Sequence, residues 1–195
     1  MPISLFDSAV STALDTNRSE FLISGFSLLT HAGDARVIAV VALALAFVLW
    51  RHKHYAYKLG LALSIFGALG ASYALKVLVH RPRPLAPFAL FTEPGYSFPS
   101  MHAAVAIATY GFLAYIVWKL IRPPHHRLPF VCALAALILL IGLSRVYLGV
   151  HYASDVIGGY VVGALSLWLS ILVVRRSSRR RTQDRAGSRE APYVR

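Results

Sequence analysis

Five stretches of this chain hold no charged residue: 37–50, 59–75, 103–118, 128–144 and 156–174. A hydrocarbon core about 30 Å thick takes roughly 20 helical residues to cross, and about 17 suffice. Each stretch reaches that length once its flanks are counted. The weakest is 37–50, because Asp34 and Arg36 lie just before it. In lipid the backbone polar groups must bond within their own segment, so the stretches are expected to be helices. A chain of 195 residues has too little polar sequence left to cover five such helices in water. The expected fold is therefore all-α, a polytopic membrane helical bundle. The single Cys132 excludes a disulfide scaffold.

The charges decide orientation. Arg51, Lys53 and Lys58 follow the first stretch, Lys119, Arg122 and Arg127 follow the third, and eight arginines lie in 175–195, which makes fourteen basic residues against Asp184 and Glu190. The other side carries six basic residues (Arg18, Arg36, Lys76, Arg81, Arg83, Arg145) and six acidic ones. The positive-inside rule then puts 51–58, 119–127 and the C-terminus in the cytoplasm, and 80–100 and 145–155 outside. Three parts are expected: an outer-face amphipathic segment or helical hairpin over 1–32, a membrane domain over 33–175, and a disordered basic tail over 176–195. No basic n-region precedes a clean apolar run, so no cleavable signal peptide is expected. The net charge of +12 is no nucleic-acid footprint, since half the excess sits in a tail without interleaved aromatic residues for base stacking. The tail fits an anchor for anionic lipid.

Five of the ten prolines (Pro82, Pro84, Pro87, Pro94, Pro99) fall in 80–100, which reads as a rigid extracellular loop. Polar residues gather around it. Lys76 ends the second span and Arg83 follows seven residues on; Ser100 and His102 open the third; Arg145 closes the fourth; His151 and Asp155 lead into the fifth. Ionisable groups at membrane depth are costly, and together they point to a functional site. Lys76, Arg83 and Arg145 put three positive charges around one anion, with the arginine fork suited to phosphate oxygens. Ser100 and the Met101 and His102 amides stand at a helix start behind Pro99, an anion-binding position. His151 and Asp155 are one helical turn apart, so the carboxylate can fix the imidazole tautomer and leave the other nitrogen to attack. His102 is then free to protonate a leaving oxygen. Asp155 is the one acidic partner legible in this set. The surrounding positive charge repels a metal ion, there is no H-E-x-x-H, and no metal or cofactor is expected. His80 and Arg81 adjoin the cluster without being required by its chemistry. His52, His54, His125 and His126 belong to cytoplasmic loops, and Gly158 and Gly159 suit close helix packing.

These residues resemble a known family. Lys76–Pro84 reads K-V-L-V-H-R-P-R-P, which is similar to the K-x6-R-P first motif of the type 2 phosphatidic acid phosphatases (PAP2). Residues 99–102, P-S-M-H, resemble the P-S-G-H second motif, and 144–155, S-R-V-Y-L-G-V-H-Y-A-S-D, resemble the S-R-x5-H-x3-D third motif. The resemblance implies a six-helix membrane bundle and a metal-independent phosphatase site open to the outer leaflet. It implies His151 as the nucleophile that becomes a phosphohistidine, Asp155 as its orienter and His102 as the acid. Lys76, Arg83, Ser100, Arg145 and the Met101 amide would hold the phosphate. Met101 departs from the motif's glycine: the amide remains, while a side chain now crowds the mouth.

The expected activity is hydrolysis of a membrane lipid phosphate or diphosphate at the outer face of a bacterial cytoplasmic membrane. Among bacterial members the short chain resembles those acting on undecaprenyl diphosphate or phosphatidylglycerophosphate. A lipid phosphotransferase would share the first half-reaction. A non-catalytic lipid-binding or transport module would show a lost motif histidine or arginine, and none is lost. Haloperoxidases with a similar anion pocket are soluble, which the spans oppose.

Overall fold

A computed structural model describes residues 2–85, 89–91, 93–121 and 123–190, and among them every uncharged stretch lies in helix and no strand forms. The elements are α1 (Pro2–Thr16), α2 (Glu20–Thr30), a 3-10 turn (His31–Gly33), α3 (Ala35–Arg51), α4 (Tyr55–Val79), α5 (Met101–Ala106), a π-turn (Ile107–Gly111), α6 (Phe112–Leu120), α7 (Pro124–Tyr147) and α8 (Ala153–Glu190). Together α5, the π-turn and α6 make one continuous span, Met101–Leu120. Among the described residues four helices are long and apolar enough to cross a membrane alone. A fifth crossing exists if the pair Glu20–Gly33 and Ala35–Arg51, bent by 46°, is one broken span. The bend falls at Asp34, where polar residues weaken the first uncharged stretch.

The Met101–Leu120 span is the central rod. Ala103, Ala104, Ala106 and Ala108 are fully buried along it, and Phe112 seals its lower part against Leu49, Leu61 and Val174. Small side chains let the neighbouring helices approach closely. The tightest approach is from α8: a Cβ on Gly159 would lie 2.4 Å from the Ser100 carbonyl oxygen, and one on Gly163 would lie 2.5 Å from that of Ala104. Those two glycines bring the start of α8 against the start of α5, and the Ser100 amide donates to the Asp155 carbonyl at 2.9 Å. Two motifs 55 residues apart in sequence thereby become neighbours. On the outside, Leu43, Phe66 and Trp168 remain exposed, as a lipid-facing surface requires.

Residues 2–30 form α1 and α2, which pack on α7 and α8 rather than on each other, at the end of the bundle that carries the motifs. The Ser19 side chain caps α2 by accepting from the Leu22 amide, and the Ser19 amide donates to the Tyr147 hydroxyl at 3.2 Å. At the other end of the chain the helical backbone of α8 runs on into the arginine-rich segment as far as Glu190, where a tail without regular structure was expected. Arginine, alanine and glutamine are good helix formers, and a preceding span supplies the nucleus. Residues 191–195 lie outside the described residues.

Candidate active site

Lys76 sits in the last turn of α4, which His80 ends in the left-handed conformation (φ 53°). Among the described residues of 81–100 no regular structure forms, and proline leaves many of their carbonyls without a ladder partner. Those carbonyls hold the cations. The Lys76 ammonium donates to the Tyr96 carbonyl, Arg83 Nε to that of Gly95 at 3.1 Å, and Arg83 Nη1 to that of Val150 at 3.0 Å. Buried Ser97 laces the two sides of the loop together, its amide donating to the Arg81 carbonyl at 2.8 Å and its hydroxyl to that of Pro82 at 3.0 Å. Pro87, one of the five loop prolines, lies outside the described residues.

His151 follows α7 in the short connection to α8 and is 2% exposed. Its Nδ1 faces Asp155 Oδ2 at 3.5 Å, longer than a good hydrogen bond, and its Nε2 lies 3.4 Å from Arg83 Nη1. An arginine nitrogen can only donate, so this arrangement fits a neutral ring protonated on Nδ1 with a bare Nε2. Burial, followed by the nearby Arg83 and Arg145 charges, pushes the His151 pKa down to about 4 despite the Asp155 carboxylate. Asp155 is itself fully buried and fully engaged. Oδ2 accepts from the Tyr152 amide at 2.9 Å, and Oδ1 accepts from Arg81 Nη1 at 2.7 Å. Arg81 in turn pairs with buried Asp7 of α1 at 2.6 Å and stacks on the Tyr152 ring.

Arg145, 3% exposed near the end of α7, donates to the Thr30 hydroxyl at 2.8 Å and to Glu93. The other Glu93 oxygen lies 3.1 Å from Arg83 Nη1. One carboxylate thus bridges both arginines expected to hold phosphate. Burial alone would raise the Glu93 pKa, but Arg145 and Arg83 hold it below the ordinary carboxylate value, so it is anionic at neutral pH. Ser100 is fully buried, and its hydroxyl has no partner among the described residues. His102, in the first turn of α5, bonds through Nε2 to Asp34 Oδ1 at 3.0 Å.

Lys76, Arg83, Met101, His102 and His151 line one cavity of ≈ 660 Å³. Asp155, Ser100 and Arg145 are buried and do not themselves line it; Arg145 reaches its edge through Glu93, which does. The three motifs thus meet at one end of the bundle.

Comparison with known proteins agrees with that geometry. The PAP2 superfamily model matches residues 56–179. A Bacillus subtilis (strain 168) protein, phosphatidylglycerophosphatase B, is 31% identical over 167 residues, covering 84% of this chain and 80% of the relative. The chain belongs to the PAP2 superfamily. A second relative is a protein of Escherichia coli (strain K12) provisionally named undecaprenyl-diphosphatase YbjG. It is 35% identical over 144 residues, covering 66% of this chain and 64% of the relative. The crystal structure of a transmembrane PAP2-type phosphatidylglycerolphosphate phosphatase from Bacillus subtilis superposes with a TM-score of 0.79 at 26% identity, covering 100% of this chain and 90% of that one. The all-α membrane bundle expected from the uncharged stretches is therefore the PAP2 fold, and the chain is a membrane phosphatase of that superfamily.

In this PAP2 protein the cavity does not stop at the polar residues. It continues as a trough between α3 and α4, past Ala39, Ala42, Ile65 and Leu69, as far as Lys58. From Lys76 to Lys58 is about 27 Å along α4 at about 1.5 Å per residue, close to the full hydrocarbon thickness of about 30 Å. Leu43 and Phe66 on its rim are exposed, so the trough opens toward lipid. Met101, at its upper end, packs with the cluster of Ile38 and Val105.

Four carboxylates meet the site's cations and imidazoles, where the sequence pointed only to Asp155. Asp7, Asp34 and Glu93 reach Arg81, His102 and Arg145 across 74, 68 and 52 positions, so no local spacing marks those pairings. Arg81 sits inside the first motif, where the chemistry legible in the sequence does not require it. Its place is behind Asp155, where it takes one carboxylate oxygen.

Proposed function

We propose that this PAP2 protein hydrolyses a phosphomonoester or diphosphate of a membrane lipid through a phosphohistidine on His151, without a metal, at the outer face of a bacterial cytoplasmic membrane. One observation carries the proposal: His151 is held neutral with Asp155 behind Nδ1 and Nε2 beside Arg83, in the cavity that His102 and Lys76 also line. In the first step His151 Nε2 bonds to phosphorus, the bond to the leaving oxygen breaks, and His102 gives that oxygen a proton. Arg83, Arg145 and Lys76 offset the charge that builds on the phosphoryl oxygens. In the second step His102 takes a proton from a water that displaces His151 from phosphorus. The Bacillus subtilis and Escherichia coli relatives are named for lipid phosphate and diphosphate substrates, which supports a lipid here.

The trough favours one class of lipid. A diacyl tail of ordinary length fills one leaflet, about 15 Å, whereas the trough runs about 27 Å. A polyprenyl diphosphate has the longer chain. The test is inorganic phosphate release from detergent-solubilised protein with undecaprenyl diphosphate, phosphatidylglycerophosphate and phosphatidic acid, with and without a chelator. Undecaprenyl diphosphate is expected to show the highest kcat/KM, with no loss on chelation. A preference for either diacyl lipid, phosphatidylglycerophosphate or phosphatidic acid, would overturn the chain-length argument, and chelator-dependent turnover would overturn the metal-free mechanism.

The low pKa of His151 fixes a pH dependence. The attacking form is the neutral ring, so attack is fully available above about pH 5 and is lost as pH falls through about 4. The acid limb of kcat/KM, corrected for substrate ionisation, is expected near pH 4. A limb near the ordinary histidine value of about 6.5 would contradict the buried neutral nucleophile.

A further inference from the structure

Asp34 stands at the N-cap position of α3, where an aspartate ordinarily bonds the amides of its own helix. Here its side chain makes no capping bond. Both oxygens go to imidazoles instead: Oδ1 to His102 Nε2 at 3.0 Å, and Oδ2 to His31 Nδ1 at 2.8 Å. The turn that carries Asp34 is built to reach that ring. A Cβ on Gly33 would lie 2.9 Å from His102 Cδ2 and 2.8 Å from Ile141 Cγ2, so only glycine lets the backbone come so near. The Tyr110 hydroxyl, on the same span as His102, donates to the Ala32 carbonyl at 2.6 Å and ties the turn down. The bend between α2 and α3 thus delivers a carboxylate to the second histidine of the site, as the start of α8 delivers Asp155 to the first.

We propose that Asp34 is the positioning residue of His102, engaging Nε2 so that Nδ1 is the nitrogen that protonates the leaving oxygen. The proposal rests on the reading of His102 as the general acid. The imidazolium carries protons on both nitrogens. As the Nε2–P bond to His151 forms and the P–O bond breaks, the electron pair stays on the ester oxygen, which takes the proton from His102 Nδ1. What remains is the neutral tautomer with its hydrogen on Nε2, the tautomer that Asp34 favours. The bare Nδ1 then takes a proton from the water of the second step. Without Asp34 the ring is free to turn and to adopt the other tautomer, which has no acceptor at Nδ1.

The test compares two leaving groups on detergent-solubilised full-length protein. Dioctanoyl phosphatidic acid expels an alkoxide and needs an acid; 2,4-dinitrophenyl phosphate expels a stable phenolate and needs little help. Leaving-group release is read in the first turnover by rapid quench, before the second step that both substrates share. Asp34→Asn is expected to lower that first-turnover rate on the phosphatidic acid by about tenfold or more, with KM within about twofold and a much smaller loss on the dinitrophenyl ester. Asp34→Glu is expected to restore part of the lost rate. In a His102→Ala background, Asp34→Asn should add almost nothing, because the group it positions is gone. Vanadate binding by each variant reports that the phosphate pocket is intact. Equal losses on both substrates, or an additive effect on His102→Ala, would make Asp34 a latch between α3 and α5 and overturn the proposal; so would full activity of Asp34→Asn. If His102→Ala itself loses both substrates equally, the general-acid reading falls first, and the proposal with it.

Discussion

Replacing His151 with alanine is expected to lower turnover by about 10⁴-fold or more, because the bond that would form to phosphorus has no atom to form it. The variant should still insert and fold. Its ring makes one long contact to Asp155 and one to Arg83, and Asp155 keeps Arg81 and the Tyr152 amide as partners. His102→Ala is expected to be milder, about 10²- to 10⁴-fold, since loss of an acid slows the step without removing it. Acid-labile phosphate trapped on rapidly quenched protein separates the two variants: wild type and, more slowly, His102→Ala are labelled, and His151→Ala is not. If His151→Ala kept full turnover, or still labelled, the nucleophile would lie elsewhere.

The second large effect is expected at Arg145. It is buried between Thr30 and Glu93 at the end of α7, so its charge acts at low dielectric and its geometry is held by two partners. Arg145→Ala is expected to cost about 10²- to 10³-fold in kcat, the scale of one lost transition-state donor. It should also lower stability, because Glu93 keeps only Arg83. Arg145→Lys keeps the charge without the fork and should fall between. Glu93 works in the opposite direction. Its carboxylate bridges the two arginines that an incoming phosphate needs, so Glu93→Gln should tighten inhibition by inorganic phosphate or vanadate, by about tenfold if one such competitor is removed. An unchanged or weaker inhibition constant would mean that Glu93 does not compete for the phosphate-binding arginines.

Much of the site could be read from residue types alone. Lys76, Arg83, His102 and His151 are expensive groups beside apolar stretches, and all of them line one cavity. The four-residue spacing of His151 and Asp155 does bring them together, but not as one helical turn: His151 lies in the connection before α8, which begins at Ala153, and the turn that closes the helix start sets Asp155 behind it. What escaped was the counter-charge. An isolated cluster of Lys76, Arg83 and Arg145 resembles an unbalanced anion trap, whereas Glu93 bridges two of the three in the folded chain. The N-terminal segment escaped for the same reason: its Asp7, Thr30 and Asp34 look like ordinary interfacial polar residues until Arg81, Arg145 and His102 are placed beside them.

The sequence by itself determined that the chain is helical and membrane-spanning, because the cost of placing a charge or an unpaired backbone group in lipid is set by local composition. It also determined which chemical groups stand near the span ends. Only the tertiary structure decided which acid answers which base, how the bend at Asp34 brings a carboxylate to His102, and how far the trough runs between α3 and α4. Those are distances between residues remote in sequence, and a hydrogen bond or ion pair depends on such distances rather than on the order of residues along the chain.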